Sequence, residues 1–451
     1  MKAPDFVVHA ARVANLRSQG ILPLIEAALA FERRPCAEID AAVGAKLQEL
    51  IAHAAARVPF HARRLRAAGI DPARVRSIAD LAALPLLTKA DLRDGGADLL
   101  ADSRVDPAWI KNASGGSTGA PVNFYQNAAY HRRMLADQAR HVSWTGLPWW
   151  TPRAFVWGAD RDSRAHDGLK ARLRDTVTGT RFLNTFRASD AEYVAFARSC
   201  AADDVPLVIG YASSLEHFAR AVAAERAKGL GWRPRAVQSS AERLTPEMRA
   251  RIEAAFGCPA FDRYGSREMG NAAHECTAHS GLHVSMERVI VEILRGGQAV
   301  PDGEEGELVV TVLDNMAEPL IRYAIGDVGR RVTGAPCPCG RAYERIEITA
   351  GRSSDLFTTP GGRRVHGEYF THLFYALEGV IAFRLVQETR ERLVLELVRG
   401  PAWRGDEVDA LLDGIRDVDP GFLTEVRMVE EIPVSASGKR SFTTSHVPVE
   451  W

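Results

Sequence analysis

The sequence carries no excess of either charge, because 57 Lys and Arg residues balance 57 Asp and Glu residues in a chain of 451. Nothing in this balance indicates a polyanionic partner, so we expect no nucleic-acid binding. The chain also lacks the run of about 18 apolar residues that a membrane-spanning helix needs. Its first residues, Met1-Lys2-Ala3-Pro4-Asp5, lack the apolar core of a signal peptide. We therefore expect no membrane association and a cytoplasmic location.

Cysteine is also scarce, and six residues are too few for a disulfide scaffold of this size. Cys36, Cys200 and Cys258 are scattered, as small buried apolar residues usually are. The sequence has no internal repeat and no low-complexity segment. Its length is too great for one ordinary domain and predicts two or three.

Short apolar runs at 154–157, 207–210 and 236–239 alternate with helical patterns, as in a largely parallel sheet with helices on both faces. Capping residues at Ser189 and Thr245 predict the starts of two of these helices. Ligands of such sheets bind at the carboxyl ends of the strands. An antiparallel pair is predicted at 289–294 and 307–313.

The order of elements changes beyond Gly351. Strands are predicted at 381–386, 393–398 and 426–429 and a helix at 406–415, a unit of the size of a domain. The predicted fold is thus α/β: a large N-terminal domain (1–353) with mixed sheets and helices, followed by a small α+β C-terminal domain (354–451).

One loop combines glycines and hydroxyl side chains: Ser114, Gly115, Gly116, Ser117, Thr118 and Gly119. Glycine allows the turns and close backbone approach that a phosphate needs, and the hydroxyls add donors. A Walker loop would continue into lysine, but Ala120 and Pro121 follow here. From the residues alone, either another segment supplies the lysine or the loop is only a flexible connection.

Further motifs follow this loop in a fixed order: 262–268 (Asp-Arg-Tyr-Gly-Ser-Arg-Glu), 322–327 (Arg-Tyr-Ala-Ile-Gly-Asp), 351–355 (Gly-Arg-Ser-Ser-Asp) and 437–439 (Ser-Gly-Lys). Together they resemble the adenylate-forming superfamily. Within it, the chain is most similar to the phenylacetate-CoA ligase branch, which includes capsule-type proteins and coenzyme F390 synthetases. The resemblance implies a two-step reaction. ATP and a carboxylic acid form an acyl-adenylate and pyrophosphate, and the acyl group then passes to coenzyme A.

The resemblance also implies roles for individual residues. The loop 114–119 would hold the β- and γ-phosphates of ATP, Glu268 would bind Mg²⁺, and Asp327 would accept the ribose hydroxyls. Arg352 and Lys439 would reach the site from the joint and from the mobile C-terminal domain. The adenine would lie against the loop of Ser240, Ala241 and Glu242 and stack on Tyr264. The remaining cofactor-binding positions are Asp262, Gly265 and Ser266.

Two positions depart from the branch. Ser354 occupies the hinge, where the family usually has an acidic residue or lysine, and Gly367 replaces the proline that ends a loop at 362–367. That loop shapes the pantetheine tunnel in relatives. A carrier-protein thiol, an amine or another nucleophile is therefore the alternative acceptor to coenzyme A. An inactive, zinc-stabilised nucleotide-binding protein is a third reading.

Cysteine and histidine cluster in two segments, Cys276-x₂-His279-x₃-His283 and Cys337-Pro338-Cys339. Thiolate and imidazole ligands favour zinc, and structural zinc sites use four of them. Relatives with similar segments bind a metal there. The predicted structural zinc ligands are Cys276, His283, Cys337 and Cys339, with His279 as the competing nitrogen donor.

The acyl pocket is predicted at the strand ends, from Trp157, Tyr211, Ala212 and Gly265. The aromatic rings favour an aryl or compact acid over a long fatty chain. The sequence leaves a homodimer open.

Overall fold

The computed structural model describes residues 5–113, 122–157, 169–185, 188–350, 356–374, 377, 379–401, 403–405, 407–432 and 442–447. Among these residues, no helix is both long enough and apolar enough to cross a membrane. The helices are α1 Asp5–Ser18, α2 Leu22–Phe31, α3 Cys36–Arg57, α4 Pro59–Ala67, α5 Lys89–Asp94, α6 Ala128–Trp144, α7 Leu169–Val177, α8 Asp190–Ala202, α9 Ala212–Arg226, α10 Pro246–Phe256, α11 Gly367–Phe374 and α12 Glu407–Val418. Short 3₁₀ turns lie at Pro72–Arg74, Ile78–Leu81, Gly96–Leu99 and Ala101–Ser103.

The strands of the large part are β1 Ile110–Ala113, β2 Asn123–Gln126, β3 Arg153–Trp157, β4 Thr180–Asn184, β5 Leu207–Tyr211, β6 Ala236–Ser240, β7 Ala260–Phe261, β8 Arg263–Ser266, β9 Gly270–Glu275, β10 Leu282–Val284, β11 Val289–Arg295, β12 Gln298–Ala299, β13 Glu305–Val312, β14 Tyr323–Arg331 and β15 Arg345–Ala350. The C-terminal part adds β16 Leu356–Thr358, β17 Arg364–His366, β18 Val380–Gln387, β19 Arg392–Arg399, β20 Leu423–Met428 and β21 Thr443–Ser445.

Five strands form the predicted parallel sheet, in the order β4-β3-β5-β6-β7. Apolar side chains of α8, α9 and α10 pack on one face of this sheet. On the other face, Val142 of α6 packs against Leu207, Ile209 and Phe261. Helices on both faces confirm the α/β prediction.

The capping predictions for this sheet are also met. The Ser189 hydroxyl accepts from the Glu192 N–H at the start of α8, and Thr245 does the same for Met248 at the start of α10. Gly257 ends α10 with a left-handed backbone (φ 68°). These local signals determine where the helices begin and end, and therefore the positions of the loops that connect them to the strands.

The predicted antiparallel pair, β11 and β13, is part of a much larger sheet. Eight strands pair antiparallel in the order β12-β11-β13-β14-β15-β10-β9-β8. The sequence suggested only two of them because the other strands are short or polar on one face. This sheet carries the motif residues of β8 and β14, so it positions most of the candidate site.

Arg322 ties this sheet to the N-terminal helices. Its guanidinium pairs with Glu292 and donates to the carbonyl oxygens of Leu81, Ala82 and Leu84. Its backbone is left-handed (φ 53°), which costs free energy for a residue with a side chain. The motif arginine is therefore a structural residue here.

The C-terminal part forms a four-stranded mixed sheet, β20-β19-β18-β21, covered by α11 and α12. Its buried core, from Phe357 onward, shares no residue with the cores of the large part. The predicted joint, 353/354, lies outside the described residues. The expected loop 362–367 is wrong in part, because Arg364–His366 pairs with β16 as a strand and Gly367 begins α11.

Candidate functional site

Tyr264 and Asp327 meet across the curved antiparallel sheet. The Tyr264 hydroxyl donates to Asp327 Oδ2 at 2.7 Å. Tyr264 lies on β8 and Asp327 on β14, and β15, β10 and β9 lie between these strands in the sheet. The contact therefore brings the two longest motifs of the sequence to one place. A carboxylate held in this way can accept hydrogen bonds from hydroxyl groups of a ligand.

The predicted adenine loop begins where β6 ends. Ala241 follows Ser240 with a left-handed backbone (φ 68°), a conformation that costs free energy and is typical of functional turns. Glu242 turns back and accepts from the Ser213 N–H at 2.8 Å, in the first turn of α9. The Ser240 hydroxyl accepts from Arg263 at 2.7 Å. Ser240 is thereby joined to the strand that carries Tyr264.

Glu268 lies in the turn between β8 and β9 and is 8% exposed. The Tyr130 hydroxyl donates to its carbonyl oxygen at 3.3 Å. Within the described part of the chain, its carboxylate makes no ion pair or hydrogen bond. A carboxylate without a partner is suited to a hard cation such as Mg²⁺.

Gly265 and Ser266 shape the same turn. A Cβ at Gly265 would lie 2.3 Å from the carbonyl oxygen of Gly270, so only glycine fits between β8 and β9. Ser266 Oγ accepts from the Met269 N–H at 3.3 Å. Asp262 precedes them, and its carboxylate accepts from the Arg263 N–H and the Ser239 hydroxyl. These three predicted cofactor-binding residues thus define the backbone around Tyr264 and Glu268.

The glycine-rich loop 114–119 lies outside the described residues, but both of its ends are described. β1 and β2 pair as an antiparallel hairpin, with Ala113 opposite Asn123. Gln126 of β2 donates to the carbonyl oxygen of Arg267 at 2.9 Å. This bond fixes the base of the loop beside the turn that carries Glu268. Arg352, Ser354 and Lys439 also lie outside the described residues.

A buried glutamate supports the same hairpin. Glu318 is 3% exposed and accepts from the Tyr125 N–H at 2.8 Å. Burial raises its pKa from 4.5 to about 7. Asn315 donates to the carbonyl oxygen of Tyr125 from the same segment.

The predicted acyl-pocket residues lie at the carboxyl ends of neighbouring parallel strands. The ring centroids of Trp157 on β3 and Tyr211 on β5 are 4.4 Å apart. Ala212 is fully buried at the start of α9. Tyr211 pairs with Ser240 of β6, so these side chains adjoin the adenine loop.

The four predicted zinc ligands lie together. One ligand atom from each of Cys276, His283, Cys337 and Cys339 falls within 4.8 Å of all the others. The Cys276 and Cys337 sulfurs are 3.5 Å apart, and Cys339 Sγ is 3.4 Å from His283 Nε2. Tetrahedral zinc places neighbouring sulfur and nitrogen ligands about 3.4 to 3.8 Å apart. The spacing and the chemistry of these donors therefore fit a zinc ion.

Groups around the cluster suit a metal as well. Arg345 donates to both oxygens of Ser280, whose hydroxyl lies 3.3 Å from Cys337 Sγ. Burial lowers the pKa of His283 to about 4, so the imidazole is neutral at physiological pH. His279 is not part of the cluster, because its Nδ1 lies 3.1 Å from a Glu275 carboxylate oxygen.

The sequence interpretation missed three residues of the site region: Gln126, Gln238 and Arg263. Arg263 is part of the motif at 262–268, but its polar neighbour Asp262 gave no sign that the arginine side chain is buried. Gln238 is polar in the centre of an apolar run, which was a weak signal. Gln126 carried none, because its role depends on a carbonyl 141 positions away.

No protein-family model matches the chain. The phenylacetate-coenzyme A ligase of Thermus thermophilus is 27% identical over 341 residues, which cover 73% of this chain and 74% of that protein. The phenylacetate-coenzyme A ligase of Escherichia coli is 29% identical over 333 residues, covering 72% and 73%. A solved structure of 2-hydroxyisobutyryl-CoA ligase, in complex with 2-HIB-AMP, is 21% identical with a TM-score of 0.70 and covers 92% of this chain and 91% of that one.

The two curated relatives match most of the chain in sequence, and the solved structure shares its fold. The chain is similar to the phenylacetate-CoA ligase-like branch of the adenylate-forming superfamily.

Proposed function

We propose that the protein activates a carboxylic acid with ATP, releases pyrophosphate and passes the acyl group to coenzyme A. The observation that carries this proposal is the contact between Tyr264 and Asp327, next to Arg263, which donates to Ser240 at the carboxyl end of β6. It brings the residues proposed for the ribose and the adenine to the strand ends where the acyl pocket is expected. The curated relatives named phenylacetate-coenzyme A ligases support the same chemistry.

The acid and ATP react by attack of the carboxylate on the α-phosphate, a step that depends on positioning and on neutralised charge. Asp327 would accept the ribose hydroxyls, and the adenine would lie on Tyr264 beside Ser240 and Ala241. Loop 114–119 would hold the terminal phosphates. Glu268 would bind Mg²⁺, which shields phosphate charge when present. Lys439 would stabilise the same charge from the C-terminal domain during the first step.

We propose 1–353 and 354–451 as the two domains, with the second one moving at Ser354 between the two half-reactions. Movement of Lys439 out of the site after the first step would make room for the acceptor. Hinge motions open and close the active sites of other enzymes in a similar way. Coenzyme A is the proposed acceptor. A carrier-protein thiol or an amine is the alternative, supported by Gly367 and by the hairpin at 356–366, where a loop was expected.

A structural zinc ion is proposed at Cys276, His283, Cys337 and Cys339. These ligands come from the end of β9, from β10 and from the connection between β14 and β15. Zinc would therefore join the segment after Glu268 to the connection after Asp327. Its role would be to fix these strands and not to take part in acyl transfer.

The test is incubation of purified protein with ATP, Mg²⁺ and a panel of carboxylic acids, scored by pyrophosphate release. Addition of coenzyme A should then yield an acyl-CoA, identified by mass spectrometry. An Asp327→Asn variant should lose pyrophosphate release, because the amide keeps one acceptor oxygen and presents a donor where the second ribose hydroxyl needs an acceptor. Release without acyl-CoA, but with transfer to an amine or a carrier protein, would favour the alternative acceptor. No release with any acid would support an inactive nucleotide-binding protein.

A further inference from the structure

Four buried polar side chains lie near the carboxyl end of β6. Each has at least one nitrogen or oxygen atom without a hydrogen-bond partner among the described residues. Gln238 is 0% exposed and Arg263 7%. Among the described residues, neither amide atom of Gln238 has a hydrogen-bond partner, and neither does Arg263 Nη1. His141 Nδ1 and His274 Nε2 are also buried and unpartnered. Buried polar atoms are normally paired, so such a group indicates a ligand or ordered water.

The four side chains lie beside one another. Arg263 and His274 are opposite each other on β8 and β9, and the rings of His274 and His141 are 5.0 Å apart. Gln238 is opposite Phe261, whose ring lies 6.4 Å from His274. Residues two apart on a strand share a face, so Gln238 and Ser240 point the same way. We call these four residues the buried polar cluster.

Arg263 gives the cluster a positive charge. Ser240 Oγ accepts from both Nε and Nη2, which orients the guanidinium and leaves Nη1 unpaired. Within the described chain, no carboxylate forms an ion pair with Arg263. Burial lowers its pKa to about 10, so it is still protonated at neutral pH. The Asp262 carboxylate offsets part of the cost of burying this charge without forming a direct ion pair, and a bound anion would offset more of it.

The cluster adjoins the predicted acyl pocket. Tyr211 is opposite Ser240, and the ring of Trp157 on β3 lies 4.4 Å from the ring of Tyr211. Because Ser240 is also the first residue of the adenine loop, an acid bound between Tyr211 and Ser240 would direct its other end toward Gln238 and Arg263.

We propose that the buried polar cluster binds a second carboxylate on the substrate, so that the activated acids are compact dicarboxylic acids. This inference rests on the proposed adenylation. The Arg263 guanidinium would pair with the second carboxylate, and the Gln238 amide would donate to it. The aryl acids suggested by Trp157 and Tyr211 would then be poor substrates, since they leave the guanidinium unpaired.

The test compares matched pairs of acids, succinate with butyrate and glutarate with valerate, by kcat/KM for pyrophosphate release. We expect a preference for the dicarboxylate of about a hundredfold, because a site built for a polar group rejects analogues that lack it. Arg263→Met should remove about a hundredfold of this preference, and Arg263→Lys should remove less. If Arg263→Met does not fold, Gln238→Leu should lower the preference in the same direction.

Arg153→Met is the matched control. Arg153 is also a buried arginine of this sheet region without a carboxylate partner among the described residues, but it donates to the carbonyl oxygens of Thr151 and Trp149. Its loss should lower stability and leave the preference unchanged. Equal use of both acids by the wild type, as expected if the cluster holds water only, would overturn the inference. If Arg263→Met lowered kcat/KM equally for the dicarboxylate and the monocarboxylate, the inference would also be overturned, since Arg263 would then bind the reacting carboxylate.

Calorimetric titration of the protein with glutarate and with valerate, in the absence of ATP, separates this inference from the proposed function. Pyrophosphate release with monocarboxylates alone would contradict the dicarboxylate specificity and leave adenylation standing. Tighter binding of glutarate than of valerate, with no release from any acid, would support the cluster and contradict adenylation.

Discussion

The hydrogen bond from Tyr264 to Asp327 decides how two distant motifs are placed. Its hydroxyl holds Asp327 at 2.7 Å, although three strands separate β8 from β14. The tyrosine therefore has two proposed roles, to support the adenine and to orient the carboxylate that accepts the ribose. A variant that lacks only the hydroxyl distinguishes these two roles, because it keeps the aromatic ring that would support the adenine.

Tyr264→Phe should raise the KM for ATP by about five- to tenfold and change kcat less, since a typical hydrogen bond contributes about 1 kcal/mol. Steady-state pyrophosphate release at varied ATP gives both constants. Tyr193→Phe, a buried tyrosine of α8 on the far face of the parallel sheet, is the control. An unchanged KM for ATP would mean that Asp327 does not depend on this contact.

Cys339→Ser tests the proposed zinc site at the same scale. The variant should lose bound zinc and melt several degrees lower, because a weaker oxygen ligand replaces a thiolate and leaves three ligands. Metal analysis and thermal unfolding are the measurements. Cys258→Ser should keep the wild-type zinc content and melting temperature, since Cys258 lies outside the cluster. Wild-type protein that is folded and active without stoichiometric metal would contradict the proposal.

At the scale of elements, the β1–β2 hairpin is the part of the site most dependent on a buried charge. Glu318 accepts from the backbone of Tyr125 while almost completely buried. Because its pKa is raised in the folded protein, the folded state binds the proton more tightly than the unfolded state. Stability from this group is therefore present below its unfolded pKa of 4.5 and is lost as pH rises to about 7.

Glu318→Gln should remove this pH dependence. The amide oxygen can still accept from the Tyr125 N–H, and no charge has to be buried. Relative to the variant, the wild type should lose about 3 kcal/mol of unfolding free energy between about pH 5 and about pH 8, because the folded protein holds the Glu318 proton to a higher pH. Denaturant unfolding at both pH values measures it. The exposed Glu391→Gln serves as control, and a constant difference between wild type and Glu318→Gln would contradict the explanation.

At the scale of the whole molecule, the sequence predicted the parts better than their assembly. The strands at 154–157, 207–210 and 236–239 and the caps at Ser189 and Thr245 follow from local patterns, and the structure has them. The eight-stranded sheet does not follow from such patterns, because β8, β9 and β10 are short and β10 pairs with β15, about 60 residues further along the chain. The contacts of Gln126 with Arg267 and of Tyr264 with Asp327 depend on that assembly.

The two-step mechanism also belongs to the whole molecule. Lys439→Ala should slow adenylate formation by about a hundredfold or more and affect transfer from a preformed adenylate far less, because the cation stabilises charge only in the first step. Single-turnover measurement of each half-reaction tests this. Lys228→Ala, on the surface of the large part, is the control. Equal losses in both half-reactions would contradict a step-specific lysine.

The central claim is that the protein makes an acyl-adenylate, and exchange of radiolabelled pyrophosphate into ATP tests it most directly. The label can enter ATP only if the adenylate forms reversibly on the enzyme. We predict exchange that requires both Mg²⁺ and a carboxylic acid, that proceeds without coenzyme A, and that Asp327→Asn abolishes. Absence of exchange with every acid, or exchange that is the same with no acid present, would contradict the account.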